Sequence, residues 1–131
     1  MNNKALIVTE VWSKLLSSPK VMDYLGEFEE GKAALAYENT EDNDTLPVEK
    51  CFIIYNIESS VAKPAEKITQ EKTYLKFYIG GADSIYLVDE VVKAFNGILL
   101  ASCIMSYIGS NLNPKTQTNQ IPAYIARFEL I

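Results

Sequence analysis

The chain has 131 residues, 48% of them hydrophobic, with 12 basic and 17 acidic side chains and a net charge of −5. A chain of that length is expected to be a single domain, residues 1–131, and at this size about two-thirds of the unfolded surface is buried without help from a metal or disulfide. Only one basic residue is an arginine, Arg127; recognition of phosphates and base edges relies on arginine forks and clustered positive charge, so sequence-specific nucleic-acid binding is disfavoured.

No stretch approaches the roughly 20 apolar residues that span a bilayer, so no membrane partner is expected. The start, Met1-Asn2-Asn3-Lys4 followed by an apolar run broken at Glu10, does not read as a signal peptide. Cys51 and Cys103 each sit inside an apolar segment, far apart in sequence. Their spacing fits no zinc ribbon or redox pair, and two free thiols in a reducing compartment are expected.

In chain order, residues 4–17 place Ala5, Val8, Trp12, Leu15 and Leu16 at helical spacing. Ser18-Pro19 reads as an N-cap with proline at the first helical position, and Gly26 stops the short helix that follows. Residues 32–37 read as a strand, with a helical continuation as the alternative, and 38–45 as a solvated acidic loop. Cys51 to Ile57 is a buried strand rich in β-branched and aromatic residues. Its apolar side chains point both ways, Phe52 and Ile54 to one side and Ile53 and Tyr55 to the other. The polar link 58–72 is too long for a tight turn and is expected to project as an arm.

Thr73 to Ile79 alternates, with Leu75, Phe77 and Ile79 on one side and Tyr74, Lys76 and Tyr78 on the other. Gly80 to Ser84 turns into a second helix, capped at Asp83 or Ser84, whose stripe is Leu87, Val91, Ala94, Phe95 and Ile98. Residues 99–108 are expected to be a strand, 109–120 a polar loop, and 123–131 a closing strand. The fold class is therefore α+β: a mainly antiparallel sheet of four to five strands with two main helices on one face.

Chemistry is hard to find in this pattern. The chain has no histidine, which removes imidazole ligands, Ser-His and Cys-His pairs and the commonest general base. An enzyme would have to rely on carboxylates such as Asp89 or Glu90 with a tyrosine, and no activity or cofactor is expected. Glu41-Asp42-Asn43-Asp44 looks like the start of a calcium loop. Counted from Asp42, however, the glycine position holds Pro47 and the final glutamate position Ile53. Gly80-Gly81-Ala82-Asp83-Ser84 lacks the lysine of a phosphate-binding loop and reads as a structural turn.

Two features point to protein contacts instead. The Tyr74/Lys76/Tyr78 face has no covering helix, and tyrosine is enriched where proteins meet. The lysine series Lys63, Lys67, Lys72 and Lys76, interleaved with Glu66 and Glu71, suits contact with an acidic neighbour. The two-sided strand 51–57 adds to this, because its second face would need cover from another copy. Candidate interface residues are Tyr55, Lys63, Lys67, Tyr74, Lys76, Tyr78 and Arg127.

The layout resembles that of the tail terminator (tail completion, or head–tail joining) proteins of long-tailed bacteriophages and phage tail-like particles. The likeness rests on the helix broken at Ser18-Pro19-Lys20-Val21, the strands Cys51–Ile57 and Thr73–Ile79 with their projecting connection, Tyr78-Ile79-Gly80-Gly81-Ala82-Asp83 leading into a helix, and the closing strand Tyr124–Leu130. It covers nearly the whole chain as pattern and size, without a short diagnostic motif. The resemblance implies a hexameric ring of identical copies that caps the tail tube protein and meets a head connector or collar protein. It places the protein in the bacterial cytoplasm during assembly and then in the particle. In such a ring Glu41, Asp42 and Asp44 are candidates for an acidic lumen. A monomeric module that holds one partner, a chaperone or an inhibitor, is the alternative from the same residues.

Overall fold

Ser18 and Pro19 set the first corner. In the computed structural model, which describes residues 4–38, 49–61, 71–113 and 123–131, helix α1 (Lys4–Leu16) ends just before them and helix α2 (Pro19–Tyr24) begins on them. The Val21 amide donates to Ser18 Oγ at 3.4 Å, the capping bond expected there. The buried stripe of α1 is Ile7, Val11 and Leu15. The expected Trp12 and Leu16 lie on the flank and stay exposed. Two apolar stripes share this helix, and the one without the bulky indole faces the sheet.

After Gly26 the chain forms a small hairpin, β1 (Glu27–Glu29) and β2 (Lys32–Ala33), turning at Gly31 with φ of 81°. Glu27 Oε2 accepts from the Gly31 amide at 2.6 Å and closes the turn. Strand β3 (Leu35–Tyr37) then runs parallel to β4 (Cys51–Val61), which pairs antiparallel with β5 (Glu71–Gly81) along the whole ladder from Cys51↔Gly81 to Val61↔Glu71. Helix α3 (Ser84–Phe95) leads to β6 (Leu99–Leu100), β7 (Cys103–Asn113) and β8 (Ala123–Leu130). The order across the sheet is β3-β4-β5-β8-β7-β6.

This corrects the expected fold class. The sheet has six strands and is mixed, because β3 joins in parallel; about half of the described residues are strand, and the helices are three and short. Three local signals account for the difference. Ala101 and Ser102 both take positive φ, as a two-residue hairpin turn requires, so 99–108 is a hairpin and not one strand. β7 continues through Asn113 into residues expected to be loop. The β4–β5 ladder extends past Ile57, so it takes in four residues of the expected arm, 58–61, and two more, 71–72.

All three helices pack on one side of the sheet. Ile7, Val11, Leu15, Val21, Leu87, Val91 and Phe95 meet Ile53, Tyr55, Leu75, Phe77, Ile79, Met105 and Phe128 from the strands. The centre is aromatic: the Phe77 ring lies 5.9 Å from Tyr55, 5.1 Å from Phe95 and 5.8 Å from Phe128. The other side of the sheet carries a smaller cluster, in which Phe28 from the hairpin covers Ala34, Ala36, Phe52 and Ile54.

Both cysteines are free. Cys51 is fully buried with Sγ 3.0 Å from the Ala82 carbonyl, and burial, with Asp83 nearby, pushes its thiol up to about 11. Cys103 is only partly buried. A thiol-disulfide reagent at pH 8 is expected to label Cys103 quickly and Cys51 only on unfolding, because the thiolate is the reactive form. Equal rates at the two sites would show that Cys51 is not sealed in.

A candidate interaction surface on the open face of the sheet

The helices leave one face of β5, β8 and β7 open among the described residues, except at the end where Tyr78 packs against the Phe28 cluster and Ile125 beside it is buried. Strand alternation decides what stands there. Opposite the buried Leu75, Phe77 and Ile79 are Tyr74, Lys76 and Tyr78, as expected, each partly exposed. Register adds β8: Tyr74 stands across from Glu129, Lys76 from Arg127 and Tyr78 from Ile125. On the other side Lys76 stands across from Asn56 and Tyr74 from Glu58. Four predicted interface residues, Tyr74, Lys76, Tyr78 and Arg127, thus come together on one surface.

Their electrostatics are nearly balanced. Lys76 Nζ lies 2.7 Å from Glu58 Oε2. Arg127 donates from Nη1 to Asn111 Oδ1 and has no carboxylate within ion-pair distance among the described residues. Glu58, Ser59, Tyr74, Lys76, Arg127 and the bulged Ile108 line a shallow groove of about 360 Å³. The bulge arises where Tyr107 and Gly109 face Phe128 and Arg127, leaving Ile108 as the extra residue.

Towards β6 this face turns apolar. Leu99 pairs with Ile104, and Ile104 exchanges hydrogen bonds of 2.9 and 3.0 Å with Ile131, so three aliphatic side chains lie in a row. They are 68%, 48% and 68% exposed. Ile108 is half exposed further along β7. The stretch 94–126 contains one charged residue, Lys115, among the 29 charges of the chain. Large apolar side chains grouped in this way on a surface mark a place of contact.

Other predicted positions fall elsewhere. Tyr55 is not on the surface: it is fully buried against the helices, and its hydroxyl donates to the Val8 carbonyl at 2.8 Å. Burial, with Tyr37 beside it, pushes that phenol well above its ordinary range. The second face of β4 is covered by Phe28 of the same chain, so the two-sided strand gives no reason for a second copy to lie on it. Lys63, Lys67, Glu41, Asp42 and Asp44 lie outside the described residues. Asp89 is exposed and Glu90 pairs with Lys93 at 3.9 Å on the surface of α3. Among the described residues no three acidic or cysteine side chains gather as a metal site would need, and no helix is long and apolar enough to cross a membrane.

Glu58, Ile108, Asn111 and the Leu99–Ile104–Ile131 row were not among the predicted residues. The lack of charge over 94–126 was the sequence signal for Leu99 and Ile104; Ile131, Glu58 and Asn111 depend on pairing partners distant in the chain. No protein-family model matches this chain, and no curated protein matches it. Its role must be read from the surface itself.

Proposed function

We propose that this chain is a structural assembly subunit, similar to the phage tail terminators, that forms a ring, caps a tail tube and offers a second surface to a head connector or collar protein. The observation that carries the assembly role is the open sheet face, where Tyr74, Lys76, Tyr78 and Arg127 adjoin the exposed row Leu99–Ile104–Ile131. Interfaces have apolar centres with aromatic residues and arginine and a polar rim; here the aliphatic row and the tyrosines supply the first, and Glu58, Lys76 and Glu129 the second. The tail-terminator form of the role draws on the layout: helices before a long strand pair, a helix entered from Gly80-Gly81, and the closing strand β8.

The test is to mix purified protein with tail tubes and view them by negative-stain microscopy. Capped tube ends are expected with wild type. Leu99→Asp with Ile104→Asp should leave stability nearly unchanged, because both side chains are solvent-facing, yet abolish capping. Bare tube ends with wild type, or a stable one-to-one complex with a single partner and no higher assembly, would remove the proposal.

A further inference from the structure

β7 and β4 are both eleven residues long; β4 is paired along its whole length with β5, and β7 from Ile104 to Asn113 with the closing strand and Ile131. On its outer side β4 meets β3 at Ile53 to Tyr55, leaving Asn56 onward open among the described residues. On its outer side β7 meets β6 at Cys103 and Ile104. Beyond these, the Met105 amide bonds to Ile98 and the Tyr107 amide to the Asn96 side chain. From Ile108 onward that edge is open among the described residues. Among the described residues each strand therefore offers six residues, about 20 Å, of unpaired backbone. An exposed edge of this kind is a template for another strand, and natural proteins usually block it with lysine or proline. Residues 103–113 contain neither, nor any other charge.

The two edges fit each other. They lie on opposite sides of the sheet, and the successive antiparallel pairings run β4 and β7 in opposite directions. A second copy placed alongside without inversion thus presents its β4 antiparallel to β7. The amide of Ile53 and the carbonyl of Tyr55 bond towards β3, so odd residues of β4, Ile57 and Ser59 among them, aim their backbone groups outward. Ile131 exchanges both backbone hydrogen bonds with Ile104, so odd residues of β8 bond towards β7; their partners past the bulge are Gly109 and Asn111, which leaves Ser110 and Leu112 pointing outward.

From this geometry we infer that copies of the chain join edge to edge, the open half of β7 pairing antiparallel with the open half of β4 of a second copy. The inference rests on the assembly role proposed above and names the contact that builds it. Setting Ser110 against Ser59 of the second copy puts Leu112 opposite Ile57 on the helix side. It puts Asn111 opposite Glu58 on the open side. Arg127, which holds Asn111 and has no acid within ion-pair distance among the described residues, then gains the neighbour's carboxylate. The contact is head-to-tail, so it closes as a ring or continues as a filament, and does not stop at a dimer.

Cysteine trapping tests the register, with Cys103→Ser as background so that only the buried Cys51 remains. Ser110→Cys/Ser59→Cys is expected to give disulfide-linked species larger than dimers under mild oxidation, and each single variant none. A 1:1 mixture of the two single variants should give dimers only. Dimers from Ser110→Cys alone would mean that β7 pairs with itself and would overturn the inference, as would an untrapped double variant in a protein that assembles. Independently, Arg127→Glu should weaken association roughly tenfold and Arg127→Glu/Glu58→Arg should restore it. In a wild type that assembles, Arg127→Glu associating as tightly as wild type, or a double variant no tighter than Arg127→Glu, would overturn the edge contact alone. A wild type that stays monomeric would remove the assembly role and this contact together.

Discussion

Phe77→Ala is expected to cost about 3–5 kcal/mol of folding stability. Read from urea unfolding, the midpoint should fall while the slope stays unchanged. The ring is fully buried in the middle strand of the aromatic cluster, against Tyr55 of β4, Phe95 of α3 and Phe128 of β8. These neighbours come from three elements that each pack elsewhere as well, so they cannot all move in to fill the space. Domains are stable by only about 5–15 kcal/mol, so the variant should be close to unfolded at 37 °C. Tyr74→Ala, on the same strand but facing outward, should cost no more than about 1 kcal/mol. Similar losses for both would mean that the helices do not cover the side of the sheet that carries Phe77.

Gly81→Ala should be nearly as damaging, by a backbone mechanism. At the end of β5 Gly81 has φ of 98°, and an added Cβ would stand 2.0 Å from the Lys50 carbonyl oxygen and 2.9 Å from Cys51 Cα. Both are backbone atoms at the start of β4, so relief requires parting the first rung of the longest ladder in the molecule. The conformational penalty and the overpacking together are roughly 2–5 kcal/mol. Gly31→Ala supplies the control. It has φ of 81° with nothing within 4 Å of the added carbon, so it should show only the conformational part, about 1–2 kcal/mol. Equal thermal shifts for the two would show that β4 and β5 do not meet closely at Gly81.

The parts legible in the sequence were those governed by near neighbours. Ser18-Pro19 announces a helix start through one local bond, and the alternation of Thr73–Ile79 assigns each side chain to a face whatever the strand pairs with. Ser84–Phe95 carries its apolar stripe within itself. The parts that were missed depend on distant partners. The hairpin Glu27–Ala33 has two short strands without a period long enough to detect, yet it supplies Phe28 as the cover for Phe52 and Ile54. That cover is why apolar residues on both sides of Cys51–Ile57 do not imply a neighbour. The turn at Ala101-Ser102 contains neither glycine nor asparagine, the residues that normally mark positive φ, so the β6–β7 hairpin looks like one continuous strand. Of the contact surface, Tyr74, Lys76 and Tyr78 followed from alternation. That Arg127 stands directly beside Lys76 is a matter of register between β5 and β8, which no local pattern fixes.

The most direct measurement is sedimentation velocity of purified wild-type protein over a hundredfold range of concentration, run beside Arg127→Glu. Mass climbing beyond a dimer as wild type is concentrated, with the variant lagging by roughly tenfold in concentration, is the behaviour that open-edge assembly requires. A single species of one chain's mass at every concentration would contradict it.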